Sequence, residues 1–165
     1  MSTRVVVLAD THVTRGGSRR LPDRAYEVLD TADAIWHAGD LVVPELLDEL
    51  AGFAPVTAVL GNNDHELVGH LPERVEEVVD GVRLAMVHDS GVTKGREARM
   101  RRWFPDADVV IFGHSHDPVD VEGADGQRLL NPGSVTWKRR AATHTLAVLT
   151  LDAGSTHIEL VDLDR

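Results

Sequence analysis

Six short apolar runs stop at the same kinds of residue, and this pattern constrains the possible folds most. Each run is followed directly by Asp, His, Gly or Asn, and β-branched residues are frequent within the runs. Short β-branched runs with such boundaries are typical of buried strands. The runs are 5–9 before Asp10, 34–36 before His37, 56–60 before Gly61, 82–87 before His88, 109–112 before Gly113 and 129–130 before Asn131.

Stretches with a helical period separate several of these runs. Apolar residues at 21, 25, 28 and 29 share one helical face around Pro22, and those at 46, 47, 50 and 51 follow Pro44 in the same way. An arginine-rich third helix should carry Met100, Trp103 and Phe104 on one face and end at Pro105. Alternating strands and helices predict an α/β fold, in which ligands bind beyond the carboxyl ends of the strands.

From Pro118 onward the pattern changes to two predicted β-hairpins. Residues 119–121 and 127–130 flank one turn, and residues 146–151 and 156–161 flank another. We therefore expect the last third of the chain to be antiparallel, and the whole to form two packed sheets with helices outside. The 165 residues suit one domain, 1–165.

Composition excludes several classes of function. The chain has no cysteine, so disulfides, zinc–thiolate sites, iron–sulfur clusters and cysteine nucleophiles are ruled out. Its formal net charge of −10 disfavours binding to duplex nucleic acid. No segment is long and apolar enough to cross a membrane, and the run 5–9 is too short for a signal peptide. We therefore expect a cytoplasmic protein that has no membrane partner.

Side chains that can bind a metal gather at the ends of the predicted strands. They are carboxylates, imidazoles and an amide, which suit Mn²⁺, Fe, Zn²⁺ or Ni²⁺ better than Ca²⁺. Seven ligands are too many for one ion with open positions, and they suit two ions that share a carboxylate. On an extended chain, both members of an i, i+2 pair would face one way. The candidates are Asp10, His12, Asp40, Asn62, His88, His114 and His116.

Each motif taken alone has a simpler interpretation. Asp10-x-His12 is more often a turn or a helix cap, and His88 fits a buried core histidine as well as a ligand. Their joint occurrence, each at the end of an apolar run, favours a metal site. A glycine directly precedes three candidates, where its missing Cβ would let the backbone approach an ion closely. These glycines are Gly39, Gly61 and Gly113.

In these motifs the chain resembles the calcineurin-like metallophosphoesterases. Its short length and its Asn-Pro-Gly-Ser element look like the small prokaryotic YfcE-type phosphodiesterase branch. The resemblance covers nearly the whole chain in the family's order and implies a four-layer α/β/β/α sandwich of two mixed sheets with a binuclear metal site. The matching motifs are Asp10-x-His12, Gly39-Asp40, Gly61-Asn62-x-Asp64, His88, Gly113-His114-x-His116 and Asn131-Pro132-Gly133-Ser134.

The resemblance also implies a cofactor and a mechanism. The cofactors would be two divalent ions, Mn²⁺ foremost, with Fe, Zn²⁺ or Ni²⁺ as alternatives. Water shared by the ions would lose a proton near neutral pH and attack the phosphoester in line, without a covalent enzyme intermediate. By motif, one ion takes Asp10, His12 and His116, the other takes Asn62, His88 and His114, and Asp40 bridges them.

The sequence departs from the family pattern at two places. Many members carry a histidine after the Gly-Asn pair, where it can protonate the leaving group, but this chain has Asn63. An amide cannot donate that proton, although it can bind a phosphate oxygen, and His65 is an alternative acid. The branch often has Gly-His after its strand-end histidine, whereas this chain has Asp89-Ser90, which affects substrate contacts. The candidate catalytic residues are Asp40, Asn63, Asp64 and His65.

Basic residues cluster in three segments, 15–24, 94–102 and 138–140. The first follows a metal motif and the third lies just past Ser134, so either could bind a phosphate. For any single arginine, a solvated surface or an oligomer contact is the commoner role.

The favoured function is a metal-dependent phosphodiesterase that acts on a small anionic phosphoester. A phosphomonoesterase or a dinucleoside-polyphosphate hydrolase is the alternative within enzymes. A non-catalytic interaction scaffold of the same fold is the alternative from another class. All seven ligand types match, which disfavours the scaffold because grouping so many polar side chains without a metal is destabilising. The sequence leaves a homodimer open.

Overall fold

Ten strands and three α-helices make up the computed structural model, which describes residues 1–17 and 19–165. None of the described helices is long and apolar enough to cross a membrane. In chain order the elements are β1 Thr3–Leu8, α1 Asp23–Leu29, β2 Ala34–His37, α2 Glu45–Ala51, β3 Val56–Ala58, β4 Arg74–Val79, β5 Val82–Val87, α3 Arg96–Trp103, β6 Val109–Ile111, β7 Val119–Glu122, β8 Arg128–Asn131, β9 Thr145–Asp152 and β10 Ser155–Asp162.

The strands form two five-stranded mixed sheets. The first has the order β10-β9-β1-β2-β3, in which β1, β2 and β3 are parallel and β9 is antiparallel to both β1 and β10. The second has the order β4-β5-β6-β8-β7, with β5, β6 and β8 parallel and both edge strands antiparallel. The carboxyl ends of each parallel set therefore meet at one edge of its sheet.

Alternation along the strands divides the core into three apolar layers. In β1, Val5 and Val7 pack between the two sheets, against residues of β5 and β6 such as Met86 and Ile111. The intervening Val6 of β1 faces α1 and α2 on the outside of the first sheet. The outer face of the second sheet packs against α3 through a third cluster. This arrangement confirms the predicted α/β/β/α sandwich.

The helices begin and end near the predicted signals. Pro22 immediately precedes α1 and Pro44 immediately precedes α2, in keeping with the fixed φ of proline at a helix start. Helix α3 ends at Trp103, two residues before Pro105, and Met100 is its buried residue. Both predicted hairpins are present, but β8 also pairs in parallel with β6, so the last third of the chain is not purely antiparallel.

Sequence reasoning missed strand β4. Its pairs with β5 run from Arg74–Val87 to Val79–Val82, but most of its side chains are exposed, including Glu76 and Glu77. An edge strand with charged residues breaks the apolar run that identifies buried strands. The available signal was the Asp-Gly pair before β5, which is a strong marker of a two-residue hairpin turn.

Two hairpin turns connect the sheets by hydrogen bonds at the end of the sandwich opposite the carboxyl ends of the parallel strands. The turn between β4 and β5 has both Asp80 and Gly81 at positive φ, and the turn between β9 and β10 has Ala153 and Gly154 at positive φ. The amide of Gly154 donates to the carbonyl of Asp80 at 2.9 Å. The Asp80 carboxylate also accepts from Thr3 of β1 at 3.1 Å, so this turn joins the sheets directly.

We expect Gly81→Ala to lower the free energy of unfolding by about 2–3 kcal/mol. Its φ of +78° is strained for alanine, and a Cβ there would lie 2.8 Å from the backbone nitrogen of Gly154. Gly126→Ala is the matched control, because Gly126 has φ +81° but no atom within 4 Å of a Cβ. Urea unfolding should show the control losing only about 1 kcal/mol, from strain alone. Equal losses would show that the contact between the turns is not rigid.

Candidate metal centre

The metal-ligating candidates all follow strands of the two parallel sets. Because these strands end at neighbouring edges of the packed sheets, their loops converge on one region. Asp10 and His12 follow β1, Asp40 follows β2, Asn62 follows β3, His88 follows β5, and His114 and His116 follow β6.

One group of ligand atoms comes from the loops after β1 and β6. Asp10, His12 and His116 are all buried, and each offers a ligand atom within 4.8 Å of the others. The Nδ1 of His116 lies 2.6 Å from the carbonyl oxygen of Trp137. A carbonyl only accepts, so Nδ1 carries the proton and Nε2 turns its lone pair towards Asp10, 3.7 Å away.

A second group adds the loops after β2 and β5. Asp10, Asp40 and His88 bring their ligand atoms within 4.8 Å of one another. The Nδ1 of His88 donates to the carbonyl of Ala38 at 2.7 Å, which leaves Nε2 facing the site. That Nε2 lies 3.0 Å from the amide oxygen of Asn62, so the amide joins the same group.

The carboxylate of Asp40, a member of the second group, also contacts a histidine of the first group. Its Oδ2 is 3.4 Å from the Nε2 of His12 and 3.4 Å from the Nε2 of His88. Asp10 is also common to both groups, with Oδ1 3.9 Å from the Nε2 of His88. His114 is half-exposed at the rim, and its Nδ1 lies 3.3 Å from Asn62 Oδ1. The structure therefore brings all seven candidate ligands together.

Three buried ligand atoms have no hydrogen-bond partner within the described part of the chain. They are Oδ1 of Asp10, Nε2 of His12 and Nε2 of His116. A buried polar atom without a partner costs about 1–3 kcal/mol. All three belong to the first group, where a divalent cation would satisfy them at once. Nitrogen and oxygen donors without thiolate fit Mn²⁺, Fe, Zn²⁺ or Ni²⁺, so these residues fit a transition-metal site.

Burial shifts the acid–base properties of these side chains. It raises the pKa of Asp10 to about 7 and lowers the pKa of His116 to about 4. Burial alone would raise the pKa of Asp40 as well, but hydrogen bonds from His88 and Asn63 hold it below its usual range. The low pKa of Asp40 keeps a carboxylate ionised in the same centre as the neutral imidazole of His116, which is the electrostatic condition that a cation site requires.

The backbone of the ligand loops differs from the expected extended chain. Both members of each i, i+2 pair have left-handed φ values, as does Asp40, and Asp and His tolerate this region better than most residues. Their side chains converge because the loops coil tightly, not because a strand alternates. The values are 53° for Asp10, 43° for His12, 63° for Asp40, 73° for His114 and 66° for His116.

The three glycines make room for ligand side chains from other loops. A Cβ on Gly61 would overlap the carboxylate of Asp40, and one on Gly39 would lie 2.7 Å from Nδ1 of His88. A Cβ on Gly113 would lie 2.9 Å from Oδ2 of Asp10. A side chain at any of these positions would therefore displace a candidate ligand.

Asp64 and Asn63 hold Asp40 in place through hydrogen bonds. The buried carboxylate of Asp64 accepts backbone N–H groups from Asp40 at 2.8 Å, Val42 at 2.7 Å and Gly61 at 2.8 Å. Asn63 donates its backbone N–H to Oδ1 of Asp40 and its side-chain amide to Oδ2, both at 2.9 Å. Both residues therefore contact Asp40 and the loops. The imidazole of His65 is exposed and belongs to neither metal group.

The Asn-Pro-Gly-Ser element, residues 131–134, holds two ligand loops through hydrogen bonds to their backbone. Ser134 donates its hydroxyl to the carbonyl of Asp10 at 2.8 Å, and the amide of Asn131 donates to the carbonyl of Gly113 at 3.2 Å. Asp89-Ser90 stands where the related branch often has Gly-His, and the carboxylate of Asp89 lies 3.9 Å from Nε2 of His114. These contacts place both sequence features beside predicted ligands.

Sequence reasoning missed the supporting role of His37. Its ring is fully buried, its Nδ1 accepts the N–H of Gly39 at 3.1 Å, and its Nε2 therefore donates to the hydroxyl of Thr11 at 3.0 Å. It thus joins the loops after β1 and β2. Burial lowers the pKa of His37 to about 3, so the side chain stays neutral. The His-x-Gly-Asp spacing was the available signal.

We expect His37→Gln to destabilise the metal-free protein more at pH 8 than at pH 5. The folded pKa of His37 lies below the unfolded value of 6.5, so the unfolded chain takes up the proton first as pH falls. The free energy of unfolding of wild type therefore falls by about 2 kcal/mol between pH 8 and pH 5 through His37, and the glutamine variant does not show this fall. Urea unfolding at both pH values measures this difference, with the exposed His157→Gln as control. A pH-independent gap would show that His37 can be protonated in the fold.

The chain is similar in sequence and fold to known proteins. A protein of Methanothermobacter thermautotrophicus named "Probable metallophosphoesterase" is 31% identical over 157 residues, covering 94% of this chain and 90% of its own. A Thermotoga maritima protein solved by NMR has 34% identity and a TM-score of 0.74, covering 97% of this chain and 99% of its own. Wild-type vacuolar protein sorting 29 of Entamoeba histolytica, solved with Zn²⁺, has 26% identity and a TM-score of 0.75, covering 98% and 99%. The model of the calcineurin-like phosphoesterase superfamily domain matches residues 3–154, and the chain belongs to this superfamily.

Proposed function

We propose that the protein is a metal-dependent phosphodiesterase with a binuclear site. The observation that carries the proposal is the position of Asp40, whose Oδ2 stands 3.4 Å from an imidazole nitrogen of each ligand group. A carboxylate in this position suits a bridge between two cations. Divalent ions bound there would generate a nucleophile from water near neutral pH and polarise the phosphoryl oxygens.

The chain's own residues would arrange the ligands before any ion binds. His88 and His116 each donate Nδ1–H to a backbone carbonyl, so both present Nε2 to the site without reorientation. Asn63 and Asp64 hold the carboxylate and the backbone of Asp40. A site whose ligands are fixed beforehand loses little conformational entropy when it binds a metal or a substrate.

A non-catalytic scaffold is the competing function. Structural neighbours include vacuolar protein sorting 29 of Entamoeba histolytica with Zn²⁺ bound. Metal content alone therefore does not distinguish an enzyme from a metal-binding interaction module, whereas turnover of a phosphoester does. The buried ligand atoms without partners in the described chain favour a metal in either case.

We expect Mn²⁺-loaded protein to approach two ions per chain and to hydrolyse bis(p-nitrophenyl) phosphate. Asp40→Asn should reduce turnover at least about 100-fold, because an amide bridges two cations poorly, while the fold is retained. Elemental analysis, the hydrolysis rate and circular dichroism check the three parts. Glu97→Gln on α3 is the control, since Glu97 is exposed on the outer face of the second sheet. Near wild-type turnover in Asp40→Asn would contradict the bridging role.

We also expect the rate to depend steeply on the leaving group. Asn63 uses its side-chain amide on Asp40 and cannot donate a proton, and a general acid contributes typically about 10²–10⁴-fold. Aryl phosphodiesters should therefore react much faster than alkyl diesters. A series of substituted phenyl esters measures the slope of rate against leaving-group pKa. A shallow slope in wild type that becomes steep in His65→Ala would show instead that His65 supplies the proton.

A further inference from the structure

Two arginines from distant parts of the chain lie against one indole ring. Arg19 belongs to the loop between β1 and α1, and Arg139 belongs to the loop between β8 and β9. Their guanidinium carbons lie 3.9 Å and 4.9 Å from the ring centroid of Trp137. These cation–π contacts orient both guanidinium groups without neutralising their charge. The fold thus unites the first and third basic segments of the sequence.

The indole of Trp137 lies directly beside the first ligand group. Its ring centroid is 5.3 Å from the ring of His12 and 5.3 Å from that of His116, in both cases at an interplanar angle of 81°. Its carbonyl oxygen accepts the Nδ1–H of His116 at 2.6 Å. The two guanidinium groups and two of the candidate ligands therefore contact the same aromatic ring.

These two arginines differ from their neighbour Arg15 in ion pairing. Arg15, in the same loop as Arg19, pairs with Glu45 and Glu66. By contrast, neither Arg19 nor Arg139 forms an ion pair with any carboxylate in residues 1–17 and 19–165. Arg139 also adopts a left-handed φ of 49°, a costly conformation for a residue with a Cβ. Guanidinium groups held in a fixed direction are well suited to phosphate oxygens.

An open depression of about 450 Å³ connects Arg139 with the metal centre. Its lining consists of His114, Ser115, Asp117, Arg139 and Arg140. Its size lies within the range of small-molecule sites. An anionic group held by the arginines would therefore lie next to an ester held at the candidate ligands.

We propose that Arg19 and Arg139, oriented by Trp137, bind a second phosphate of the substrate, so that the protein prefers phosphodiesters that carry a further terminal phosphate. This inference rests on the proposed phosphodiesterase function and names its substrate class. A doubly charged ester would contact the cation centre through its scissile phosphate and the arginines through its terminal phosphate.

The first test compares the dinucleotides TpT and pTpT, which share one scissile bond and differ in a terminal 5′-phosphate. We expect Mn²⁺-loaded wild type to prefer pTpT by about 10-fold or more in kcat/KM, mainly through KM. Arg19→Gln and Arg139→Gln should each remove most of this preference, and Arg139→Lys should restore part of it. Arg102→Gln on α3 removes the same charge from the opposite side of the sandwich and should leave the preference unchanged.

The second test measures binding without turnover. Calorimetry with tripolyphosphate on the metal-free protein should show an affinity that falls about 10-fold in Arg139→Gln and not in Arg102→Gln. Trp137→Leu should weaken binding too, since it keeps both charges but removes the ring that orients them. Circular dichroism confirms that each variant is folded.

The outcomes separate the two proposals. Equal kcat/KM for TpT and pTpT in wild type overturns the inference and leaves the phosphodiesterase in place. A preference, or a tripolyphosphate affinity, that survives both glutamine variants also overturns it. If wild type hydrolyses bis(p-nitrophenyl) phosphate but neither dinucleotide, the tripolyphosphate affinities of wild type and the glutamine variants decide the inference. If it hydrolyses none of the three esters, the proposed function fails and the inference fails with it.

Discussion

The candidate metal centre depends on the buried carboxylate of Asp64, which is not itself a candidate metal ligand. Asp64 accepts three backbone N–H groups from two loops, including that of Asp40. Charge-assisted hydrogen bonds of this kind each contribute about 1.5–3 kcal/mol and fix backbone direction. Asp40 is thereby held between His12 and His88 by the protein alone. The geometry that suggests two cations is therefore a property of the chain's own hydrogen bonds.

This arrangement has a cost that the rest of the fold must offset. Buried ligand atoms without partners and left-handed loop residues each oppose folding by about 1 kcal/mol or more. Three apolar layers supply the opposing free energy, and the hairpin turns at Asp80 and Ala153 clip the sheets at the far end. Proteins that carry binding groups on loops commonly combine a rigidly packed scaffold with strained loops at the binding site, as this fold does.

Parallel strands buried on both faces explain why so much of the fold is visible in the sequence. Such strands appear as apolar runs, and five of the six runs here end where a ligand loop begins. Strand β4 has one exposed face and no such run. The directions of Asn63 and Asp64 could not be predicted either. Residue spacing does not show which side chain turns inward once the backbone leaves the extended conformation, and here the Asp64 carboxylate turns towards the backbone N–H groups of Asp40, Val42 and Gly61.

Charge is distributed unevenly over the molecule, and the distribution bears on how a substrate approaches. A net charge of −10 repels anions at long range, but salt screens that field within about 10 Å. Within that distance of the candidate metal centre, the local positive charge determines whether an anion is attracted. Arg24 is paired with Glu27 on the outer surface, whereas Arg19 and Arg139 lie beside the ligand groups. Such a field would favour small phosphate esters that enter the centre over extended polyanions that must also contact the acidic surface.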